Sequence, residues 1–151
     1  MNKYEIKVVL LSGLLLSSFL FALLYNAFSR KIDTPACIPY NAAFEKGHVR
    51  QLDDSTCEVY VSAHMWGFDP AEIVIPVGTT VEFYLTSTDV VHGFNIDGKG
   101  VNLMAVPGGV NRITVPFNSI GTYRIVCHEF CGIGHQNMMG KIIVKDKIYQ
   151  Q

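Results

Sequence analysis

Residues 123–144 read Tyr-Arg-Ile-Val-Cys-His-Glu-Phe-Cys-Gly-Ile-Gly-His-Gln-Asn-Met-Met-Gly-Lys-Ile-Ile-Val. Two β-branched runs, 123–126 and 141–144, bracket a loop that carries two thiols, two imidazoles and two thioethers. Each run is too short for a stable helix and has the composition of a strand. The same pattern recurs upstream. Val81, Phe83 and Leu85 alternate with Thr80, Glu82, Tyr84 and Thr86, the period of two expected of a half-buried strand. Residues 58–61, 73–75 and 112–115 are similar runs, and turn signals separate them at Asp69-Pro70, Pro76-Val77-Gly78, Asp97-Gly98, Pro107-Gly108-Gly109 and 118–121. About seven short strands at this spacing predict an all-β sandwich or small barrel.

The chain's 151 residues allow one such domain and little else. A net charge of −1 argues against nucleic acid, whose phosphates call for a basic partner. The mean hydropathy of +0.25 is high for a soluble domain, and the excess is local. Residues 8–28, VVLLSGLLLSSFLFALLYNAF, contain no charge and match the roughly 20 apolar residues that cross a bilayer as helix. Lys3 and Lys7 precede this stretch, and Arg30 and Lys31 follow it. A cleaved signal peptide is the rival reading. Its apolar region runs about 7–15 residues and ends in a small-x-small site, neither of which fits here. The expected organisation is therefore a transmembrane anchor over 1–31, a linker and irregular segment over 32–55, and the β-domain over 56–151. Basic residues tie on the two sides of the span, so charge does not orient it. Residues 32–151 carry 8 basic and 12 acidic residues, about −4, a surface suited to a cationic partner.

In the loop, Cys127, Cys131 and His135 fall at i, i+4 and i+8, which would also suit a zinc-binding helix. Gly132, Gly134 and Gly140 oppose that reading, because glycine weakens helices and favours tight loops. No Cys-x-x-Cys-His occurs, which excludes a c-type haem attachment. Thiolate, imidazole and a weak thioether together form the soft ligand set of copper in electron transfer. A mononuclear copper site needs one Cys, whereas this loop offers two, and two thiolates can bridge two metal ions. His92, in Val91-His92-Gly93-Phe94, is the upstream histidine that would complete such a set.

Cys-x-Glu-x-Cys-x3-His-x2-Met from Cys127 to Met138, with His92 ahead of it, resembles the binuclear copper A loop of cytochrome c oxidase subunit II. The resemblance spans the chain and implies a cupredoxin-like Greek-key β-sandwich behind one N-terminal transmembrane helix. The single helix, Trp66-Gly67-Phe68-Asp69-Pro70 and Val91-His92-Gly93-Phe94 are most similar to the B-type haem–copper oxidases. The resemblance implies that Cys127 and Cys131 bridge two coppers and that His92 and His135 each bind one. It further implies that Met138 and the backbone carbonyl of Glu129 are weak ligands. B-type members tend to have Gln at the position of Glu129. Its carboxylate introduces the A-type alternative of a magnesium or manganese ion at the subunit I interface.

The family function implied is electron input to a haem–copper terminal oxidase. Reduced cytochrome c or a cupredoxin would donate, and haem in subunit I would receive the electrons for reduction of oxygen to water. The chain would be a subunit of an oxidoreductase and not catalytic alone. Its N-terminus would lie inside the cytoplasmic membrane, with the copper domain on the outer face. A related nitric oxide reductase subunit and a free-standing anchored cupredoxin are the alternatives.

Other residues invite metal readings that the pattern does not support. His48, His64 and His128 are left outside the site, and Met139 is assigned to core or contact surface. Trp66 is either a core aromatic or part of the electron-input surface. Cys37 and Cys57 are either a disulfide pair or buried free thiols.

Overall fold

The computed structural model describes residues 2–30, 36–38 and 44–146. The chain divides into two compact units, Met1–Asp33 and Thr34–Gln151. The first is a single helix, α1 (Lys3–Arg30). At about 1.5 Å per residue, its 28 residues exceed the roughly 30 Å thickness of a hydrocarbon core. Its leucines and phenylalanines are exposed, as the side chains of a lipid-facing helix must be.

The second unit is a sandwich of two mixed sheets. One contains β1 (Ala36–Ile38), β2 (His48–Gln51), β3 (Thr56–His64), β6 (Thr79–Ser87) and β9 (Val110–Phe117) in the order β1-β9-β6-β3-β2. The short strand β4 (Gly67–Asp69) pairs with β3. The other sheet runs β5-β11-β10-β7-β8, from β5 (Glu72–Pro76), β7 (His92–Ile96), β8 (Val101–Ala105), β10 (Gly121–Val126) and β11 (Met139–Lys145). The parallel pairs β3·β6 and β5·β11 join chain segments that are not hairpin neighbours.

Alternation in sequence becomes alternation in space. Val81, Phe83 and Leu85 are fully buried, while Glu82 and Tyr84 lie on the outer face of the first sheet. Inside, a chain of rings runs through the core. Phe68 meets Phe94 edge-on, Phe94 meets Phe83, Phe83 meets Phe117, and Phe117 meets Tyr123, with centroids 5.3–6.4 Å apart. Such pairs add directional packing to the area they bury.

The segment 32–55, expected to be irregular, contributes β1 and β2. The remainder of its first part, 32–35 and 39–43, lies outside the described residues. His48-Val49-Arg50-Gln51 carries no strand signal in sequence because every side chain of this edge strand is exposed, leaving no apolar alternation. Ladder bonds to β3 hold it, helped by the His48–Tyr60 stack at 4.3 Å and an Arg50–Glu58 ion pair at 2.7 Å. The register also removes the Cys37–Cys57 disulfide. Cys37 lies on β1 and Cys57 on β3, three strands apart in one sheet. At about 4.8 Å per strand spacing, their Cα atoms are beyond the roughly 7 Å limit of a disulfide. Cys57 is a free, fully buried thiol.

Candidate metal centre

β10 ends at Val126, paired with Asn95 of β7 and Met139 of β11, so Cys127 leaves the sheet beside the start of β7, where His92 sits. The loop closes on itself, since Cys127 N–H donates to Met138 O at 3.2 Å, where β11 is about to begin. Within it, a 3-10 turn over His135–Asn137 is set by His135 N–H to Gly132 O and Met138 N–H to His135 O, both 3.1 Å. Gly132 has φ +117°, a conformation glycine adopts without the penalty a Cβ brings. The i, i+4, i+8 spacing is therefore wound into a loop and not a zinc-bearing helix.

This winding brings every residue of the expected set together. His92, Cys127 and Cys131, all buried, place one ligand atom each within 4.8 Å of one another. The Cys127 and Cys131 Sγ atoms are 3.7 Å apart. Cys131 Sγ lies 3.6 Å from His135 Nδ1 and 3.7 Å from Met138 Sδ. Cys127 Sγ donates to the Glu129 carbonyl at 3.2 Å. Met138 is fully buried and Met139 half-exposed, which separates the two thioethers. His128 is exposed beside Gly93, and His48 and His64 are exposed on other strands.

One observation marks the cluster as built for a cation. His92 is fully buried, and its Nδ1 has no hydrogen-bond partner. Its Nε2 lies 2.7 Å from Asp89 Oδ1, so the carboxylate fixes the ring and leaves Nδ1 as a free lone pair, the arrangement that prepares an imidazole to ligate. A buried, unsatisfied polar atom costs free energy unless something occupies it. Burial raises Asp89, but hydrogen bonds from His92, Val90 N–H and Met65 N–H outweigh it and hold the carboxyl at about 2. Burial, with the neighbouring Cys127, pushes the Cys131 thiol up to about 11. A bound cation would supply the charge that stabilises its thiolate.

Three supporting residues were not read from sequence in these roles. Asp89 precedes His92 by three residues, and only the tight turn between β6 and β7 reveals it as the imidazole's partner. Gly93 is where β7 and the loop touch, since a Cβ there would lie 2.5–2.7 Å from His128 Nδ1, His128 N and Glu129 N. Trp66 belongs to the β3–β4 turn and is 44% exposed, so it is not a core aromatic.

Comparison with known proteins places this architecture. The family model "Cytochrome C oxidase subunit II, periplasmic domain" matches residues 43–146. A cytochrome c oxidase subunit 2 from Thermus thermophilus is 44% identical over 98 residues, 65% of this chain and 73% of that protein. A chain from a cryo-EM structure of a heme-copper terminal oxidase dimer is 41% identical, with a TM-score of 0.83, and the match covers 95% of this chain and all of that one. The periplasmic domain of cytochrome oxidase subunit II from Bradyrhizobium japonicum shares the fold at 22% identity. Its TM-score is 0.56, and the match covers 60% of this chain and 85% of that chain.

Proposed function

The chain belongs to the cytochrome c oxidase subunit II family, and from that premise we propose that its thiol loop and His92 hold a binuclear copper A centre. In that role it is the electron-input subunit of a haem–copper terminal oxidase. It accepts electrons from reduced cytochrome c or a cupredoxin and delivers them to haem in subunit I, where oxygen is reduced to water. The carrying observation is the convergence of two buried thiols, an orphaned His92 Nδ1, His135 and Met138 around one point.

In this reading Cys127 and Cys131 would hold the copper through their thiolates, and His92 and His135 would each contribute an imidazole nitrogen. Met138 and the Glu129 carbonyl are the weak outer donors. Bound copper supplies a one-electron couple shared over two ions. The protein's contribution is rigidity. Asp89 fixes the His92 ring, the Cys127–Met138 bond closes the loop, and the aromatic core behind it resists rearrangement, so the donors move little when charge changes. A free-standing cupredoxin would need only one thiol, which makes the second, 3.7 Å from the first, an argument for two metal ions.

The single apolar helix serves as anchor, with the N-terminus inside and the sandwich on the outer face, where a soluble donor reaches it. The Glu129 side chain is exposed, free to contribute to a magnesium or manganese site against subunit I.

The test uses the full-length chain in detergent. It is loaded with copper, the metal is counted per chain, and the electron paramagnetic resonance spectrum is recorded. Two coppers sharing one unpaired electron are expected. A single blue copper per chain would overturn the reading.

A further inference from the structure

Trp66 lies outside the donor set, yet the Met65-Trp66 turn reaches both halves of it. The indole rests on the glycines of the thiol loop. A Cβ at Gly134 would come within 2.4–2.7 Å of its ring atoms, and one at Gly132 within 3.3 Å. Gly134 has φ −89° and ψ 5°, values open to any residue, so its backbone does not require glycine. The indole does. Trp66 Nε1–H also donates to the Cys131 carbonyl at 3.2 Å.

The same turn is tied to the histidine side. Met65 N–H donates to Asp89 Oδ2 at 2.7 Å, and the other oxygen of that carboxylate lies 2.7 Å from His92 Nε2. A chain of contacts thus runs from His92 through Asp89, Met65 and Trp66 to Cys131. It joins the start of β7 to the loop after β10 by way of a turn from the opposite sheet.

We propose that Trp66 is a positioning residue for the thiol loop, its ring and its Nε1–H together holding Cys131 against His92. The metal-binding role of Cys131 rests on the copper reading above, but the clasp is a property of the metal-free chain. Two features make it effective. The ring covers the loop over a broad face, which a flexible side chain could not do at similar entropy cost. The hydrogen bond goes to the carbonyl of the thiol residue itself, so it restrains that residue's backbone directly.

The test compares the full-length chain in detergent with Trp66→Phe, Trp66→Ala, Gly134→Ala and the double variant Trp66→Ala/Gly134→Ala. In the reduced, metal-free proteins, alkylation is followed at each cysteine by mass spectrometry. Loss of the hydrogen bond alone in Trp66→Phe should speed Cys131 modification about three- to tenfold, and Trp66→Ala should speed it further. Gly134→Ala should reproduce the effect by displacing the ring. In the double variant Gly134→Ala should add nothing, because the two changes act on one contact. Cys57, deep in the core, should keep its wild-type rate throughout. After copper loading, the Trp66 variants should release metal to a chelator about tenfold faster and show an altered hyperfine pattern.

The proposal is overturned if Cys57 accelerates in step with Cys131, which would mean general loosening. It is equally overturned if Gly134→Ala keeps its full effect without the indole, or if no variant changes Cys131. Failure of the wild-type chain to bind copper would instead overturn the reading of the site, and the metal-free thiol rates would still judge the clasp.

Discussion

Cys57 and Cys131 are both buried sulfurs of the same sandwich, and burial pushes both thiols up to about 11. Cys57 projects from β3 into the apolar core among valines and phenylalanines. Cys131 faces a second thiol, an imidazole and a thioether at 3.6–3.7 Å. Burial therefore sets how hard a thiol is to ionise, whereas convergence of further donors decides whether a metal can reverse that cost. One region is core that happens to contain sulfur. The other is a polar cluster enclosed by the core, in which sulfur and imidazole donors are gathered close together.

The most severe way to break this contrast is to remove one sulfur from each side. Cys131→Ser or Cys127→Ser should abolish the two-copper spectrum, because a hydroxyl is a far poorer bridge for a soft metal. Cys57→Ala should leave copper count and spectrum unchanged and cost only about 1 kcal/mol in thermal or urea unfolding. Equal loss of metal from Cys57→Ala would erase the distinction.

A smaller effect is expected at the contact between loop and sheet. In Gly93→Ala the new Cβ would meet backbone nitrogens at 2.6 and 2.7 Å, which cannot rotate away. Overpacking of this kind costs about 1–3 kcal/mol, and it should appear as faster copper release and a shifted spectrum. Unaltered metal binding in Gly93→Ala would show that the loop does not depend on its seat against β7.

The last effect concerns pH and is absent at neutrality. The Cys57 thiol titrates at its ordinary 9.0 in the unfolded chain and about 11 when folded. Between those values the unfolded chain has released a proton that the folded one retains, so rising pH favours unfolding. The stabilisation is complete below pH 9 and is lost as pH climbs toward 11, about 3 kcal/mol in all. Urea midpoints across this window should fall less steeply in Cys57→Ala than in the wild type. Parallel slopes would mean that Cys57 is not protected by the core.

The legible parts of the molecule were those whose chemistry is concentrated along the chain. The ligand-type residues of the loop sit within one short stretch, and the strands that flank it each contain a cluster of β-branched residues. β7 and β8 were harder to see. Gly93, Asn95 and Asn102 interrupt their apolar pattern, and the two strands form because each pairs with the other across a tight turn. β2 shows no burial alternation at all. Asp89, Gly93 and Trp66 acquire their roles only by approach of distant segments. An aspartate in a turn, a glycine after a histidine and a lone tryptophan carry no local sign of what will be packed against them.

The hydrogen bond between Cys127 N–H and Met138 O has a wider consequence. It joins the two ends of the loop at the point where β10 and β11 are already ladder partners, Val126 opposite Met139. Five of the six proposed donors are thus borne by an insert whose stems are fixed by the sheet, and lengthening a closed loop adds little entropic cost. Evolution or an engineer can rewrite the electronic properties of the insert while leaving the framework's folding problem unchanged. His92, the seat against Gly93 and the Trp66 contact tie the insert to the framework and limit how far such exchange can go.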